Sequence, residues 1–555
     1  MNSNRLELTW IGKNEKAKIE PRLLVEDNTK SYGDLNTENM LIHGDNLIAL
    51  KSLEKEYSGK IKYIYIDPPY NTGNAFEFYD DNLEHSIWLN LMRERLIILR
   101  KLLSEDGFFC CQIDDSESHY LKVLLDEVFG RDNYLTTLYI KVRYSEKTLK
   151  QDMKFHKEIE QIFVYRKTQL AVPYLPLKEN SYEKYNYYIE ELSEGRKIKL
   201  GGKDVEIFEK DQYVLKSGDG SPTGLKEVWA SGTILDGNSS GRFFRDYLDG
   251  RVSEDGLGIL YKVYGIGDDS FNYRYFTGPK KEGATKGKYY QGVPISKLDE
   301  DFKETIPIKS FYDFAAEFGN CRQEGNASFR GGKKPEKLLM TLMNYFSKPG
   351  DLVLDSFLGS GTTIAVAHKM NRRWIGIEMG KQVFELDVPR INSIIDGIDN
   401  SGITKIVNWN GGGGYKFYEL APTLIKEDSF GEAVINKEYN LEMLAKAVAL
   451  HENFKYFPNE EFFWKQSIGA ENSYLYVTTD FVNDILIDKI HESMKDNEFL
   501  IIACTSFDTS LLNKYKNIEV KKIPESLLNK CDYDVDNYNL NTISSEDMED
   551  ELLNE

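Results

Sequence analysis

The sequence predicts an α/β protein in which a mixed, mostly parallel sheet is interrupted by a long inserted domain and followed by a small α/β domain. Three observations predict it. Short apolar runs alternate with helical patterns between Asn39 and Lys167, and the same alternation resumes after about residue 306. Between the two blocks the periodicity dissolves over a stretch far too long for one loop of a compact domain.

The elements follow in chain order. Met40–His43 reads as a strand and Ile61–Ile66 as a second, buried one. His85–Ser104 places Ile87, Trp88, Leu91, Met92, Ile98, Leu99, Leu102 and Leu103 on one helical face, and Gly107–Ile113 returns as a strand, which is βαβ logic. Ser116–Phe129 is a helix stopped by Gly130, and Glu160–Arg166 a last strand of this block. From Thr168 to Asp301 turn-forming runs such as Gly201-Gly202-Lys203-Asp204 dominate, and no regular pattern stands out. Pro335 then sits where a first helical residue is expected, with the helix continuing over Leu338–Phe346. Leu352–Leu354 and Trp374–Ile377 are strands around a helix from about Thr362 to Met370. Gly411–Gly414 reads as a linker or hairpin tip. Beyond it Tyr474–Thr478, a helix to about Met494 and Phe499–Cys504 form one βαβ unit.

These readings divide the chain into a lead segment (1–38), the sheet domain's first part (39–167), an inserted domain (168–305), the sheet domain's second part (306–405), a C-terminal domain (406–530) and an acidic tail (531–555). At 555 residues, 41% hydrophobic and 13% aromatic, the chain has ample material for several cores, which excludes disorder. No apolar run approaches the ~18 residues needed to cross a bilayer, so no membrane is expected. The N-terminus lacks a secretory pattern, and the five cysteines show no zinc-ligand or paired spacing, so free thiols in the cytoplasm and no metal are expected. The net charge of -20 is uneven: the tail carries nine acids and no Lys or Arg. A local basic surface for a phosphate backbone therefore stays compatible with the composition.

Two clusters carry chemistry. The second strand ends in Asp67, Pro68, Pro69 and Tyr70. Paired prolines fix the backbone and leave carbonyls without local donors, beside a carboxylate and an aromatic plate, a corner able to grip a planar amine. The alternative is an ordinary strand-ending turn. The second cluster, Asp355-Ser356-Phe357-Leu358-Gly359-Ser360-Gly361-Thr362-Thr363, lies between a strand and a helix, and the next strand ends in Glu378. Glycines there permit close approach of a ligand to a helix N-terminus, and a strand-ending acid can accept from ribose hydroxyls. A plain helix cap is the alternative.

Together these motifs resemble the amino-methyltransferases of DNA, whose signature pairs a D-P-P-Y corner with an F-x-G-x-G loop. The corner precedes the loop, the order that resembles the β group of that family. The resemblance implies a Rossmann-like methyltransferase sheet, S-adenosylmethionine as methyl donor, and double-stranded DNA with a flipped target base as substrate. It implies that Asp67, Pro68, Pro69 and Tyr70 are catalytic. Asp45, Lys334, Asp355, Phe357, Gly359, Gly361, Thr362 and Glu378 then serve the cofactor. The acid of the corner favours adenine N6 over cytosine N4. The inserted stretch sits where the family keeps its target-recognition domain.

The corner, the helix with Trp88, Leu89, Met92 and Arg95, the segment Cys111–Asp115, and the ending Ile518–Leu528 with Asp534–Leu540 look like the modification subunits of type III restriction-modification systems. That implies a homodimer, with the C-terminal domain serving the dimer or a partner, and a separate helicase-nuclease restriction subunit. Lys141, Arg143, Tyr144, His156, Arg242 and Arg245, with Lys147, Phe243 and Phe244, are candidates for DNA contact or for filling the gap left by a flipped base; a solvated loop explains most of them equally well. His156 is alternatively structural. The competing readings are a solitary methyltransferase, possibly for cytosine N4, a non-catalytic DNA-recognition subunit, and an unrelated nucleotide-binding enzyme.

Overall fold

The computed structural model describes residues 7–10, 12–14, 18–71, 85–146, 155–178, 182–230, 239–267, 269–284, 286–298, 304–326 and 332–535. These divide into two units, with boundaries at Tyr174/Leu175 and Ile308/Lys309.

The first unit is organised on a long sheet. Its strands are β1 (Leu24–Glu26), β2 (Met40–His43), β3 (Ile61–Ile66), β4 (Leu103–Ile113), β5 (Tyr134–Lys141), β6 (Ile159–Arg166), β7 (Phe311–Asp313), β8 (Leu352–Asp355), β9 (Arg373–Glu378) and β10 (Gly414–Leu420). They lie in the order β1-β10-β2-β9-β8-β3-β4-β6-β5-β7. From β10 to β4 every neighbour is parallel, whereas β6 runs antiparallel to both β4 and β5. The central strands are buried along almost their whole length, as strands covered on both faces must be.

The helices that cover them are α1 (Asn46–Tyr57), α2 (His85–Leu102), α3 (Ser118–Phe129), α4 (Glu336–Phe346), α5 (Thr362–Lys369) and α6 (Val388–Ile395). Trp88, Leu91, Met92, Leu96 and Leu99 of α2 repeat at helical spacing and pack against Ile64, Ile66, Leu354 and Ile375 of the sheet. Each such side chain contributes about 1.5–3 kcal/mol of burial. Pro335 is the residue before α4, with extended ψ of 139°, and Glu336 opens the helix.

The glycine run that reads as a linker or hairpin tip is a tight turn into the sheet. Gly411, Gly412 and Gly413 take φ of 94°, 107° and 82°, and Gly412 donates to the Ile395 carbonyl at 2.7 Å. Strand β10 follows and pairs in parallel with β2 from Lys416↔Met40 to Glu419↔His43. The sheet therefore extends past residue 405, and the lead segment supplies its edge strand β1. After Leu420 come helix α7 (Leu441–His451) and a second, five-stranded sheet. Two short strands, Lys455–Tyr456 and Ser467–Ile468, lead into β11 (Ser473–Val482), β12 (Phe499–Phe507) and β13 (Ile518–Lys522), with α8 (Asp484–Ser493) crossing between β11 and β12. The last three strands are parallel, the βαβ unit that the sequence predicts. At the start of the acidic tail Asp532 bridges Ile19, and its carboxylate accepts from the Lys18 amide at 2.8 Å; residues 536–555 lie outside the described residues.

The second unit is a β domain. Its six-stranded sheet runs Arg196–Leu200, Lys203–Phe208, Leu260–Tyr264, Tyr273–Thr277, Gly287–Gln291, Lys226–Ala230, all antiparallel. Its core gathers Val205, Ile207, Phe243, Phe244, Phe276 and Tyr289. No described helix of either unit is long and apolar enough to cross a membrane.

Candidate active site

The corner Asp67–Tyr70 leaves the carboxyl end of β3, and the glycine loop leaves the carboxyl end of the adjacent β8, whose Val353 and Leu354 pair with Tyr63 and Ile64. Residues 67 and 357, 290 positions apart, are thus brought to one edge of the sheet, where open α/β sheets bind ligands. The ends of β9 and β2 lie beside them. The Gly44 amide donates to the Glu378 carbonyl at 3.0 Å, and Asn46 Nδ2 donates to the Ser356 carbonyl at 2.6 Å.

At the corner, Trp88 Nε1 of α2 donates to the Pro69 carbonyl at 2.9 Å. That carbonyl therefore has a partner, a difference from the sequence expectation, while the Pro68 carbonyl has no donor among the described residues. Asn71 closes the turn at φ 58°, a left-handed conformation that Asn tolerates, and its amide reaches Glu117 at 2.6 Å. The Asp67 carboxylate is held from two sides. Lys334 Nζ lies 2.6 Å from Oδ2, and the Tyr70 hydroxyl lies 2.7 Å from Oδ1. The same hydroxyl is 2.9 Å from Glu160 Oε2 on β6, which also accepts from Gln112 Nε2 at 2.6 Å; Gln112 Oε1 in turn accepts from the Tyr65 hydroxyl at 2.6 Å. One tyrosine proton therefore serves two carboxylates. Burial raises the Asp67 pKa, Lys334 opposes that, and Glu160 adds to it. Burial works against the Lys334 ammonium, but Asp67 and Glu160 outweigh it and its pKa rises.

In the glycine loop, Gly359 and Gly361 take φ of 60° and 70°, and a Cβ on Gly361 would stand 2.8 Å from Asp387 Oδ1. Asp355 Oδ1 accepts from the Phe357 amide at 2.9 Å and Oδ2 from Thr363 Oγ1 at 2.5 Å. Burial nonetheless pushes its pKa up to about 7. Glu378 holds the loop from below. Oε2 accepts from the Gly359 amide at 2.7 Å, and Oε1 from the amides of Met379 and Gly380 and from Gln382 Nε2 at 2.8 to 2.9 Å. The loop is further braced by Arg390 of α6, whose guanidinium donates to the Ser360 carbonyl at 2.7 Å and to Thr362 Oγ1 at 3.0 Å. Arg390 is tied to Glu336 Oε1 at 2.8 Å, and Lys369 to Glu336 Oε2 at 2.7 Å and to Asp399 at 2.5 Å, a network with all its charged groups buried. Two buried groups stand apart. Asp387 has neither carboxylate oxygen hydrogen-bonded among the described residues, and burial next to Glu378 holds its pKa well above the carboxylate range. Ser356 Oγ is also buried without a partner among them.

The placement of the predicted residues is therefore mixed. Asp67, Pro68, Pro69 and Tyr70 meet Asp355, Phe357, Gly359, Gly361, Thr362 and Glu378 along one sheet edge. Asp45 is buried as the N-cap of α1, accepting from the Leu47 and Ile48 amides at 2.9 and 3.1 Å and pairing with Arg95 at 3.3 Å. Lys334 sits at the Asp67–Tyr70 corner, on Asp67, not on the glycine loop. Among the DNA-contact candidates, Lys141 pairs with Asp313 at 3.6 Å, Arg143 donates to the Lys157 carbonyl, and His156 Nε2 contacts the Tyr144 carbonyl at 3.1 Å, while the Tyr144 ring is exposed. Arg242 and Arg245 belong to the second unit, where Arg245 pairs with Asp246 at 2.7 Å. Phe243 and Phe244 are core residues there and cannot fill a gap in a duplex. Lys147 lies outside the described residues. Glu160, Gln112 and Trp88 escape the sequence reading as site residues; a buried-pattern strand carrying a lone glutamate, Ile159–Arg166, is the signal that points to Glu160.

Comparison with known proteins adds the following. A family model described as DNA methylase matches residues 61–388. The probable type III restriction-modification enzyme HindVI Mod subunit of Haemophilus influenzae is 36% identical over 425 residues, covering 69% of this chain and 54% of that protein. The EcoPI Mod subunit of Escherichia phage P1 is 28% identical over 425 residues, covering 67% and 62%. The type II methyltransferase M.KpnI of Klebsiella pneumoniae is 25% identical over 367 residues, covering 62% and 80%. The chain spans between about half and three-fifths of the length of these two type III relatives.

Proposed function

We propose, from the premise that this chain belongs to the DNA methylase family, that it is a site-specific DNA adenine-N6 methyltransferase using S-adenosylmethionine and acts as the modification and recognition subunit of a type III restriction-modification system. The observation that carries the reading is the meeting of the Asp67–Tyr70 corner and the Phe357–Gly361 loop on adjacent parallel strands. The residues present suit the cofactor. The loop is left-handed at both glycines with open space beside Gly359, and the buried Ser356 hydroxyl and Asp387 carboxyl offer polar atoms without protein partners among the described residues. Phe357, Gly359, Gly361 and Thr362 would hold it with Asp355, and Glu378 would serve its ribose in addition to holding the loop. When bound, it supplies an electrophilic methyl group on a sulfonium.

The chain's own residues prepare the amine. A base in the duplex cannot reach the corner, so it is extruded at a cost of a few kcal/mol. Tyr70 offers its ring as a stacking plate. Asp67 and the Pro68 carbonyl accept hydrogen bonds from the two amine N–H groups, which turns the nitrogen lone pair out of the ring's conjugation. Trp88, holding the Pro69 carbonyl, fixes the corner before the base arrives, so positioning and electrostatics carry the rate. After transfer the amine sheds a proton, for which the Asp67 carboxylate is the nearest acceptor. The second unit is the target-recognition domain, and a homodimer with a helicase-nuclease partner completes the system. A second reading is a solitary methyltransferase outside a type III system; the match to the type II methyltransferase M.KpnI covers 80% of that protein, against 54% of the HindVI subunit.

The test is to express the chain alone in a methylation-free host and map modified bases by single-molecule sequencing, beside Asp67→Ala. N6-methyladenine on one strand of a short asymmetric motif, absent from the control, is the expected result. Methyladenine on both strands of a palindrome supports the solitary reading, modified cytosine overturns the base assignment, and no modification overturns autonomous activity.

A further inference from the structure

The catalytic corner holds one cation and two carboxylates. Asp67, Glu160 and Lys334 have side chains 19%, 12% and 6% exposed, and Tyr70 joins the two acids with its single proton. Two acids bridged in this way do not both ionise in a dry site unless a counter-charge is shared between them. Lys334 supplies that charge, at 2.6 Å from Asp67 and 3.7 Å from Glu160. The other titratable groups facing Asp67 are Tyr65 from β3, Cys111 from β4 and Asp355 from β8, none of them a cation; Cys321 is the remaining one facing Lys334.

Location matters as much as charge. The ammonium lies against Oδ2 and the Tyr70 hydroxyl against Oδ1, so an incoming exocyclic amine meets a donor already in place on either oxygen. Ammonium and amine are both N–H donors, and they compete for the same carboxylate charge. Resting on the methyltransferase reading above, we propose that Lys334 is a positioning residue that keeps Asp67 ionised in the empty site by standing where the target amine will dock, and that it passes to Glu160 when the base enters. The hand-over keeps the buried ammonium paired at every stage and leaves Asp67 charged at the moment an acceptor is needed. It also gives Glu160 a purpose: it is the second berth for the cation. The sequence resemblance assigns Lys334 to the cofactor; this assignment moves it to the amine.

The experiment compares the unaltered chain, Lys334→Met, and Lys334→Met with Glu160→Gln. The methylation rate at saturating cofactor and DNA is followed against pH, and S-adenosylmethionine binding is measured by calorimetry. Losing the counter-charge raises the Asp67 pKa, so Lys334→Met is slow at neutral pH and recovers as pH rises, its acidic limb displaced upward by about 1–3 pH units. Removing the Glu160 charge as well lets Asp67 ionise again and returns the limb toward that of the unaltered chain. Cofactor affinity stays unchanged in both. A purely structural lysine would make the double variant worse than the single one, and a cofactor ligand would lose affinity in step with rate; either result, or an unmoved limb, overturns the proposal. Urea unfolding against pH gives an arm independent of activity. In Lys334→Met the folded state retains a proton that the unfolded chain releases, so stability falls as pH rises through the elevated carboxyl pKa. The double variant loses that slope. If the unaltered chain methylates nothing, the proposed function falls while the unfolding series still decides the role of Lys334.

Discussion

Glu336 is the residue at which burial rather than distance sets the strength of an ion pair, and Glu336→Gln measures it. The glutamate is fully buried and accepts from Arg390, Lys369 and the Ile403 amide. Glutamine keeps the shape, deletes the charge and turns an amide donor against one of the cations. Breaking a buried ion pair by removing one partner costs about 3–5 kcal/mol. Lys369 keeps Asp399, and Arg390 keeps the Ser360 carbonyl, so the lower end applies, about 3 kcal/mol, or roughly 100-fold in the unfolding equilibrium. The internal control is Glu317→Gln, which removes an equally short contact, 2.6 Å to Lys337, at a lysine half exposed to solvent; about 0–1 kcal/mol is expected there. Equilibrium urea unfolding gives both numbers, and calorimetric cofactor titration should show Glu336→Gln binding more weakly, because Arg390 braces the glycine loop. A loss below about 1 kcal/mol, matching the exposed control, would refute the reasoning that desolvation makes this network a single unit.

Asp67→Asn, which keeps the size of the side chain and removes the acceptor charge, should lower the methylation rate by roughly 10²–10³-fold in a tritium-transfer assay while leaving cofactor affinity intact. Gly361→Ala meets Asp387 and a positive φ; a stability loss of about 1–2 kcal/mol by urea unfolding and weaker cofactor binding are expected. Asp387→Ala should instead stabilise by about 1–3 kcal/mol at neutral pH, since it removes a buried carboxyl without partners among the described residues. Asp355 has its folded pKa raised from 3.8 to about 7. Its effect on stability is therefore nil below the unfolded value and grows unfavourable as pH rises to about 7, up to about 4 kcal/mol; Asp355→Asn should flatten the unfolding slope across that window.

What was legible in the sequence was whatever one stretch of chain dictates for itself. Ile61–Ile66 is apolar enough to be a central strand wherever it is placed, α2 shows its buried face by spacing alone, and glycines needed at positive φ announce the loop. What was not legible was pairing. That one tyrosine bridges two acids depends on β6 lying next to β4, and no local pattern in residues 159–166 reveals which neighbour they take. The glycine run at 411–413 misled for a related reason: three glycines look the same before a linker as before a turn packed against Ile395. The second unit was unreadable as sheet because its strands are five or six residues long and rich in tyrosine, lysine and glutamate, as in Leu260–Tyr264 and Lys226–Ala230. Tyrosine and lysine bury their stems and expose their tips, which blurs the alternation of inside and outside.

The strand order has a consequence in time. Strands β2 and β3 are made early, but their sheet neighbours β8, β9 and β10 end at Asp355, Glu378 and Leu420. At about 5–20 residues per second, synthesis from Ile66 to Leu420 takes roughly 20–70 s. Until Asp355 and Glu378 have been made, the nascent chain carries β3 open on one side and β2 without either parallel neighbour. Such edges pair readily with the wrong chain, so the growing polypeptide is a natural client for chaperones. It also carries the Asp67 corner without the loop that completes it. The two clusters therefore cannot meet until β8 and the glycine loop behind it have been made, and the sheet edge that joins them is assembled late in synthesis.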